Sequence, residues 1–274
     1  MHIIHRIIII VFLLSIHSCR KYNPLSDSEY HSSISYDVIL VIGQSNTHQG
    51  LGFDFQLDAP DVRVKQLGRW GLNNYKIIPA TEPLEHFSVV PNCIGFPMTF
   101  SKLYANQLLD SGRHVLIIPA SKGSTSFSAN DWNVGDVLYS DAIARTNYIL
   151  NNYPSKLVAI LWHQGESDVG YPLYQQKLDT MITQIRKDIV GNHTNVPFIL
   201  GGMVPYWVDQ DATRIAHNNI ISGTVNRISE TGYADPRVPF TIVKPDNTVI
   251  SVHFDANGQR EMGIRYFDEY MTLR

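Results

Sequence analysis

Short apolar runs alternate with longer amphipathic segments along this chain. Five apolar runs predict buried strands, at residues 38–42, 62–67, 115–118, 157–162 and 197–201, and the first of them has no polar break. Apolar residues that recur every three or four positions predict helices, at residues 96–109, 137–150, 174–189, 212–228 and 257–270. Strands that alternate with helices predict an α/β fold, in which a central parallel sheet carries helices on both faces.

The first apolar run stops abruptly at Gly43 and is followed by Ser45. Glycine permits a tight turn and a close backbone approach at that point. Ser45 therefore falls just beyond the carboxyl end of a central strand, where open α/β sheets bind their ligands. A serine in this place can act as a nucleophile if a base and hydrogen-bond donors for an oxyanion meet it.

The composition is that of an ordinary globular protein. The chain has 274 residues, of which 44% are hydrophobic and 17% are charged, and its net charge is -3. This size predicts one domain over residues 36–274. Because no basic patch is visible, nucleic acid is not an expected partner.

The first 19 residues have the layout of a signal peptide. His5 and Arg6 precede an apolar run over residues 7–16, which is shorter than the roughly 20 residues that span a bilayer. The run ends just before Cys19, in an arrangement that resembles a bacterial lipoprotein signal with a lipidated cysteine. His17 departs from the small residue usual there, so a plain signal peptide stays open.

An exported bacterial protein is therefore predicted, periplasmic or held on a membrane by a lipid anchor at Cys19. Residues 20–35 are polar and rich in serine, which is typical of a flexible tether. Cys93 is the other cysteine of the sequence, so removal or lipidation of Cys19 leaves no internal disulfide.

Chemistry-bearing residues collect at four places, three of them just after predicted strands. Parallel strands share one carboxyl edge, so segments far apart in sequence can converge on one crevice. A long irregular segment at residues 68–95 is expected to form a wall of the same site. The four segments are 43–46 (GQSN), 119–125 (PASKGST), 162–168 (WHQGESD) and 251–255 (SVHFD).

Acyl transfer requires a nucleophilic oxygen, a base that takes its proton, and donors for the developing oxyanion. Ser45 is the candidate nucleophile and His253 the candidate base. The backbone N–H groups of Ser45 and Gly123, with the side-chain amide of Gln164, are the candidate oxyanion donors. Gln44, Glu166 and Ser251 are the predicted supporting residues. No metal or organic cofactor is required by this scheme.

The order and spacing of GQSN, the Gly123 loop, HQGE and the late histidine resemble the SGNH hydrolases. The closer resemblance is to the branch of sialate O-acetylesterases and carbohydrate esterase family 6, the SASA domain, over roughly residues 36–272. It implies a flavodoxin-like three-layer α/β/α fold and removal of acetyl groups from sugars. It also implies Ser45 as nucleophile, His253 as base, and Gly123 and Gln164 in the oxyanion hole.

The sequence departs from that family at one position. Many relatives have an aspartate three residues before the histidine, and this chain has Ile250 there. We favour a Ser–His dyad, in which the backbone carbonyl of Ser251 orients the imidazole. A carboxylate from elsewhere, namely Glu166, Asp246 or Asp255, is an alternative, and so is weakened or lost activity.

Three other interpretations stay open at this point. The substrate is acetylated xylan or another polysaccharide rather than sialic acid. Alternatively, the chain is a carbohydrate-binding lipoprotein without catalysis, for which Ile250 is the support. In the third, His163, Glu166 and Asp168 bind zinc, since histidine and carboxylates suit that metal. The tryptophans at 70, 132 and 207 have the chemistry to stack on sugar rings but are expected to pack in the core or in loops.

Overall fold

The computed structural model describes residues 34–237 and 252–274. Nine strands are present in these ranges: β1 (Ser35–Gly43), β2 (Gly50–Leu51), β3 (Val64–Leu67), β4 (Ile77–Pro79), β5 (Cys93–Ile94), β6 (Arg113–Pro119), β7 (Ser155–His163), β8 (Phe198–Gly201) and β9 (Thr231–Ala234). Six α-helices accompany them: α1 (Phe96–Gln107), α2 (Val137–Asn152), α3 (Tyr174–Asp188), α4 (Pro205–Val208), α5 (Ala212–Ser222) and α6 (Ala256–Thr272). Short 3-10 turns cover Ser45–Thr47, Gly71–Asn73, Glu166–Asp168 and Gly223–Asn226.

Seven of these strands form one sheet with the order β4-β3-β6-β1-β7-β8-β9. All neighbouring pairs are parallel except the edge pair β3–β4, which is antiparallel. Strands β2 and β5 form a separate antiparallel pair. Because β1 lies in the centre, between β6 and β7, the turn that follows it is surrounded by the ends of other strands.

Alternate residues of β1 feed two hydrophobic cores, one on each face of the sheet. Val38, Leu40 and Ile42 pack in the core that α2 and α3 cover. Ile39 and Val41 pack in the core that α1 and α6 cover. All five side chains are fully buried, which explains the uninterrupted apolar run. The predicted three-layer α/β/α fold is thereby confirmed.

The predicted elements agree with the structure except in short or weakly apolar segments. The predicted helix 212–228 is shorter, because α5 ends at Ser222 and a 3-10 turn continues to Asn226. The sequence does not predict strands β2, β4, β5 and β9 or helix α4, since each of these segments is only two to four residues long. Within the described ranges, no helix combines the length and apolarity needed to cross a membrane.

The predicted signal peptide (1–19) and almost all of the tether (20–35) lie outside the described residues, and so does Cys19. At the end of the tether the prediction is too long by one residue. Ser35 already belongs to β1, where it pairs with Arg113 of β6. Ser251, Ile250 and Asp246 also fall outside the described ranges.

Candidate active site

Gly43 brings the candidate nucleophile into place. Its φ of 125° lies in the region that favours glycine, and a Cβ here would lie 2.2 Å from the carbonyl oxygen of His163. The next residue, Gln44, donates its backbone N–H to that same oxygen at 2.8 Å. The chain then turns directly into the 3-10 turn that begins with Ser45. Close contact between β1 and β7 thus fixes Ser45 at the carboxyl edge of the sheet.

Ser45 and His253 meet at this edge. The Oγ of Ser45 lies 2.8 Å from Nε2 of His253, although 208 positions separate the two residues. His253 stands just before α6, and Asp255 caps that helix by accepting a hydrogen bond from the N–H of Gly258 at 2.7 Å. The geometry therefore joins the candidate nucleophile to the candidate base, as acyl transfer requires.

Asn46 fixes the backbone on both sides of His253. Its Nδ2 donates to the carbonyl oxygen of Val252 at 2.8 Å, and its Oδ1 accepts from the N–H of Phe254 at 3.0 Å. The side chain is fully buried. The residue directly after the nucleophile thus positions the candidate base. Asn46 is not among the residues predicted for the site, and in the sequence its place beside Ser45 is the one signal for it.

Glu166 supports Asn46 from the third segment. Its Oε1 accepts a hydrogen bond from Nδ2 of Asn46 at 2.5 Å and lies 3.6 Å from Nε2 of His163. Burial alone would raise the pKa of Glu166, but the contacts with His163 and Asn46 outweigh it and lower the pKa below its ordinary value. Glu166 is therefore a buried carboxylate that orients its neighbours.

His163 is held by Tyr266 on the other side of its ring. The hydroxyl of Tyr266 donates to the carbonyl oxygen of Trp162 at 2.7 Å. That donation uses the only proton of the hydroxyl, so Nδ1 of His163 must donate to the Tyr266 oxygen, 3.2 Å away. The buried network therefore runs from α6 through β7 to the nucleophile turn.

Gln164 makes its hydrogen bonds within the protein. Its Nε2 donates to Asp168 at 2.8 Å and to the carbonyl oxygen of Thr125 at 3.3 Å. Asp168 in turn accepts from the backbone N–H groups of Phe127 and Ser128. Gln164 thus connects the HQGE segment with the loop after β6. Its predicted role as an oxyanion donor stays a prediction.

Gly123 lies in that same loop. Its N–H donates to Oγ of Ser88 at 3.0 Å. A Cβ on Gly123 would come within 2.7 Å of the side-chain amide of Gln49. The segment 68–95, predicted as a wall of the site, therefore does reach the Gly123 loop through Ser88. The oxyanion role of Gly123 likewise stays a prediction.

Gln44 supports the turn from within. Its side-chain oxygen accepts from the N–H of Ser167 at 3.4 Å, and its backbone oxygen accepts from the hydroxyl of Thr47 at 2.7 Å. The Ser167 contact joins the first and third segments directly.

Among the described residues, no group of three histidine, cysteine or carboxylate side chains is arranged to hold a metal ion. Asp168 is committed to backbone N–H groups and Gln164, so the zinc alternative finds no support here.

Two of the three tryptophans considered for sugar stacking pack against protein. Trp132 is fully buried, donates its indole N–H to Thr125 and packs edge-on against Trp162. Trp207 lies under the guanidinium of Arg214, 4.1 Å from the ring centre. Trp70 is about half exposed, at 47%. Trp132 and Trp207 therefore have packing roles, as expected.

The structure therefore places a Ser–His pair at the carboxyl edge of a mostly parallel, helix-covered sheet. The chain belongs to the carbohydrate esterase family described as sialic acid-specific acetylesterase, whose family model matches residues 35–272. The resemblance carried by GQSN and WHQGESD is thereby confirmed.

Solved structures share this fold at low sequence identity. NanS has a TM-score of 0.73 at 19% identity, with 88% of this chain and 98% of that chain covered. An Arabidopsis thaliana protein has a TM-score of 0.71 at 20% identity, with 86% and 98% covered. A carbohydrate acetylesterase of Xanthomonas citri has a TM-score of 0.56 at 17% identity, with 84% and 55% covered.

Among curated proteins, a probable carbohydrate esterase of Arabidopsis thaliana is similar to this chain. The two are 28% identical over 110 residues, which is 39% of this chain and 40% of the relative. The match thus spans less than half of the relative's length.

Proposed function

We propose that this protein is a serine esterase that removes O-acetyl groups from sialic acid. The observation that carries the proposal is the 2.8 Å contact between Ser45 Oγ and His253 Nε2 in a chain of the sialic acid-specific acetylesterase family. Ser45 is nearly buried, with 5% of its surface exposed, and His253 is partly exposed. A small acyl group suits such a nucleophile.

The reaction proceeds in two acyl-transfer steps. His253 Nε2 takes the proton of Ser45 as the serine oxygen attacks the acetyl carbonyl, and then gives that proton to the departing sugar oxygen, which leaves as a hydroxyl. An acetyl ester on Ser45 remains. Water, deprotonated by His253, attacks this ester, and acetate leaves as Ser45 recovers its proton. None of these steps draws on a metal or an organic cofactor.

In this proposal the N–H groups of Ser45 and Gly123 stabilise the oxyanion of each tetrahedral intermediate, and Gln164 is a third donor. Gln164 must turn one N–H toward the oxyanion for this purpose. Its contact with Thr125 is the longer of its two hydrogen bonds, at 3.3 Å against 2.8 Å to Asp168. The N–H now directed at Thr125 is thus the one that is easier to redirect.

We propose that the imidazole of His253 is oriented without an aspartate from its own loop. In our proposal the Ser251 carbonyl accepts the Nδ1 proton, which gives a Ser–His dyad. The Asn46 contacts with Val252 and Phe254 support it, because they fix the backbone that carries the ring. Glu166 acts on His253 indirectly, because it holds the Asn46 side chain. Asp255 is engaged as the cap of α6, which argues against it as the acid partner.

Export and lipid attachment are a further part of the proposal. They rest on the basic start, the apolar run over residues 7–16 and Cys19. An acylated Cys19 would hold the esterase on a membrane through residues 20–35. Metabolic labelling with a clickable palmitate analogue, with Cys19→Ser as control, tests this directly.

The function is tested by acetate release from 9-O-acetylated sialic acid and from acetylated xylan. Release from the sialic acid alone, lost in Ser45→Ala, is the expected result, and the loss should be several orders of magnitude. Release from xylan alone would replace the substrate with an acetylated polysaccharide. Binding of either sugar without acetate release would instead establish a carbohydrate-binding protein.

A further inference from the structure

The backbone N–H of Gly123 already has a hydrogen-bond acceptor within the protein. Its acceptor is Oγ of Ser88, at 3.0 Å, a residue of the long segment 68–95. An esterase of the proposed kind needs this N–H for the substrate oxygen. The contact therefore places a serine hydroxyl where the oxygen of the tetrahedral intermediate is to bind.

Hydrogen-bond direction can be assigned along the chain of contacts that holds Ser88. The hydroxyl of Thr47 donates to the carbonyl oxygen of Gln44 at 2.7 Å, which uses its only proton. Nδ1 of His48, 2.7 Å from the same hydroxyl, must therefore be the donor to it. A neutral His48 that carries its proton on Nδ1 has an unprotonated Nε2, which accepts.

His48 is kept neutral by its surroundings. It is 2% exposed and stacks on the ring of His86 at 4.6 Å between centres. Burial, and in second place the charge of nearby His253, lowers the pKa of His48 to about 3. The Nδ1 of His86 accepts from the N–H of Ser121 at 3.2 Å, which ties the stacked pair to the Gly123 loop.

The Ser88 hydroxyl is therefore fixed in direction. Its proton points to Nε2 of His48, 3.1 Å away, and its lone pair faces the N–H of Gly123. Toward an oxyanion it presents an acceptor, which repels negative charge rather than stabilising it. This assignment makes Ser88 a competitor for the donor, not a third donor.

We propose that Ser88 is a resting-state occupant of the oxyanion site, which the substrate carbonyl must displace from Gly123 before reaction. The inference rests on the proposed esterase function. Gln49 makes displacement feasible, because its Nε2 lies 3.5 Å from Nε2 of His48. It can supply a donor to His48 when the Ser88 hydroxyl turns away. The buried Nε2 of His48 then still has a hydrogen-bond donor.

The inference predicts that loss of the hydroxyl improves binding. Ser88→Ala is expected to lower KM for 4-nitrophenyl acetate by about three- to tenfold, the range of one ordinary hydrogen bond, with little change in kcat. Phenylboronic acid, which forms a tetrahedral adduct on the serine, should bind the variant tighter by a similar factor. Ser88→Thr restores the hydroxyl and should return KM toward the wild-type value.

Two further observations distinguish competition from a structural role. The amide resonance of Gly123 in ¹⁵N-labelled protein should move upfield in Ser88→Ala as its hydrogen bond is lost, while Ser140→Ala, on the surface of α2, leaves it in place. An unchanged KM and boronate affinity, or a drop in kcat, would overturn the inference. Absence of Ser45-dependent hydrolysis in the wild type would instead contradict the proposed function itself.

Discussion

The side-chain nitrogen of Asn46 lies 2.5 Å from a carboxylate oxygen of Glu166, 120 positions away. The contact joins the turn that carries the nucleophile to the HQGE segment after β7. Because Asn46 also holds the backbone on both sides of His253, one buried amide connects three of the four segments of the site. The positions of nucleophile and base are therefore coupled through a residue that touches neither reacting atom.

Replacement of Asn46 by alanine should affect the rate more than binding. The change leaves the Val252 carbonyl and the Phe254 N–H without their partner, so His253 loses its fixed position. We expect kcat to fall by about 10- to 100-fold with KM little changed, and the free energy of unfolding to fall by about 1–3 kcal/mol. Steady-state kinetics with urea unfolding provide the test. Asn219→Ala, exposed on α5, is the matched control, and equal effects in both variants would contradict the assignment.

Asn46 and Glu166 should also be energetically coupled. Because Glu166 stabilises Asn46 directly, the two alanine substitutions remove one shared interaction. The double variant is expected to lose less stability than the sum of the single variants, with a coupling of about 0.5–3 kcal/mol. A double-mutant cycle by urea denaturation measures this quantity, and additive losses would show that the contact carries no energy.

The oxyanion role of Gln164 predicts a large loss of rate in Gln164→Ala. Removal of one oxyanion donor typically reduces kcat by about 10²–10³-fold. Circular dichroism should show a folded protein, since Asp168 keeps its two backbone donors. Gln175→Ala, exposed on α3, serves as the control. A fall in kcat of less than about threefold would assign Gln164 to the structural contact with Asp168 alone.

Gly43 should tolerate no side chain, for a steric reason in addition to its φ. A Cβ would overlap the His163 carbonyl at 2.2 Å, so Gly43→Ala is expected to cost more than about 4 kcal/mol of stability or to prevent folding. Gly112 has a φ of 79° with open space around it. Gly112→Ala should therefore cost only the conformational penalty, about 1–2 kcal/mol. Similar losses in the two variants, compared by thermal unfolding, would refute the steric argument.

Acid should destabilise the protein partly through His217. Burial lowers the pKa of His217 to about 4, and the ring packs against Tyr174 at a tilt of 48°, with 4.0 Å between ring centres. The unfolded chain therefore binds a proton near pH 6.5 that the folded chain takes up only near pH 4. The stability that this neutral ring contributes is fully present above pH 6.5 and is lost as the pH falls toward 4, by about 3 kcal/mol.

His217→Gln removes this titration. Its free energy of unfolding, measured in urea at pH 4.5, 5.5, 6.5 and 7.5, should depend less on pH than that of the wild type. The difference between the two proteins should be largest at the most acidic value. Parallel curves would show that His217 titrates alike in the folded and unfolded states.

The sequence predicts the sheet well because its central strands are buried on both faces. An apolar run such as residues 38–42 has few alternatives, and Gly43 marks its end. The strand at Thr231–Ala234 lies at the edge of the sheet, and its sequence contains too few apolar residues to distinguish it from a loop. Fold prediction therefore succeeded where burial is two-sided and failed at the edges.

The candidate site likewise has a part that the sequence predicts and a part that it does not. Residue chemistry predicts Ser45 and His253 as nucleophile and base, and for Ser45 the position just after a strand adds to the prediction. The contacts of Asn46 with Val252 and Phe254 cross 206 and 208 positions, and only the folded chain reveals them. The same holds for Ser88, whose contact with Gly123 depends on the path of an irregular segment. The direction in which a side chain points, such as that of Gln164, cannot be predicted from the sequence.

The placement of His253 after all nine strands of the described residues has a consequence for biosynthesis. Ser45 emerges from the ribosome early, with the first described strand of the sheet, whereas His253 follows β9. Domains fold as units while the chain is made, N-terminal parts first. A nascent chain that has already formed the central sheet is still without His253. The contact between Ser45 and His253 thus marks a chain whose translation has passed beyond β9.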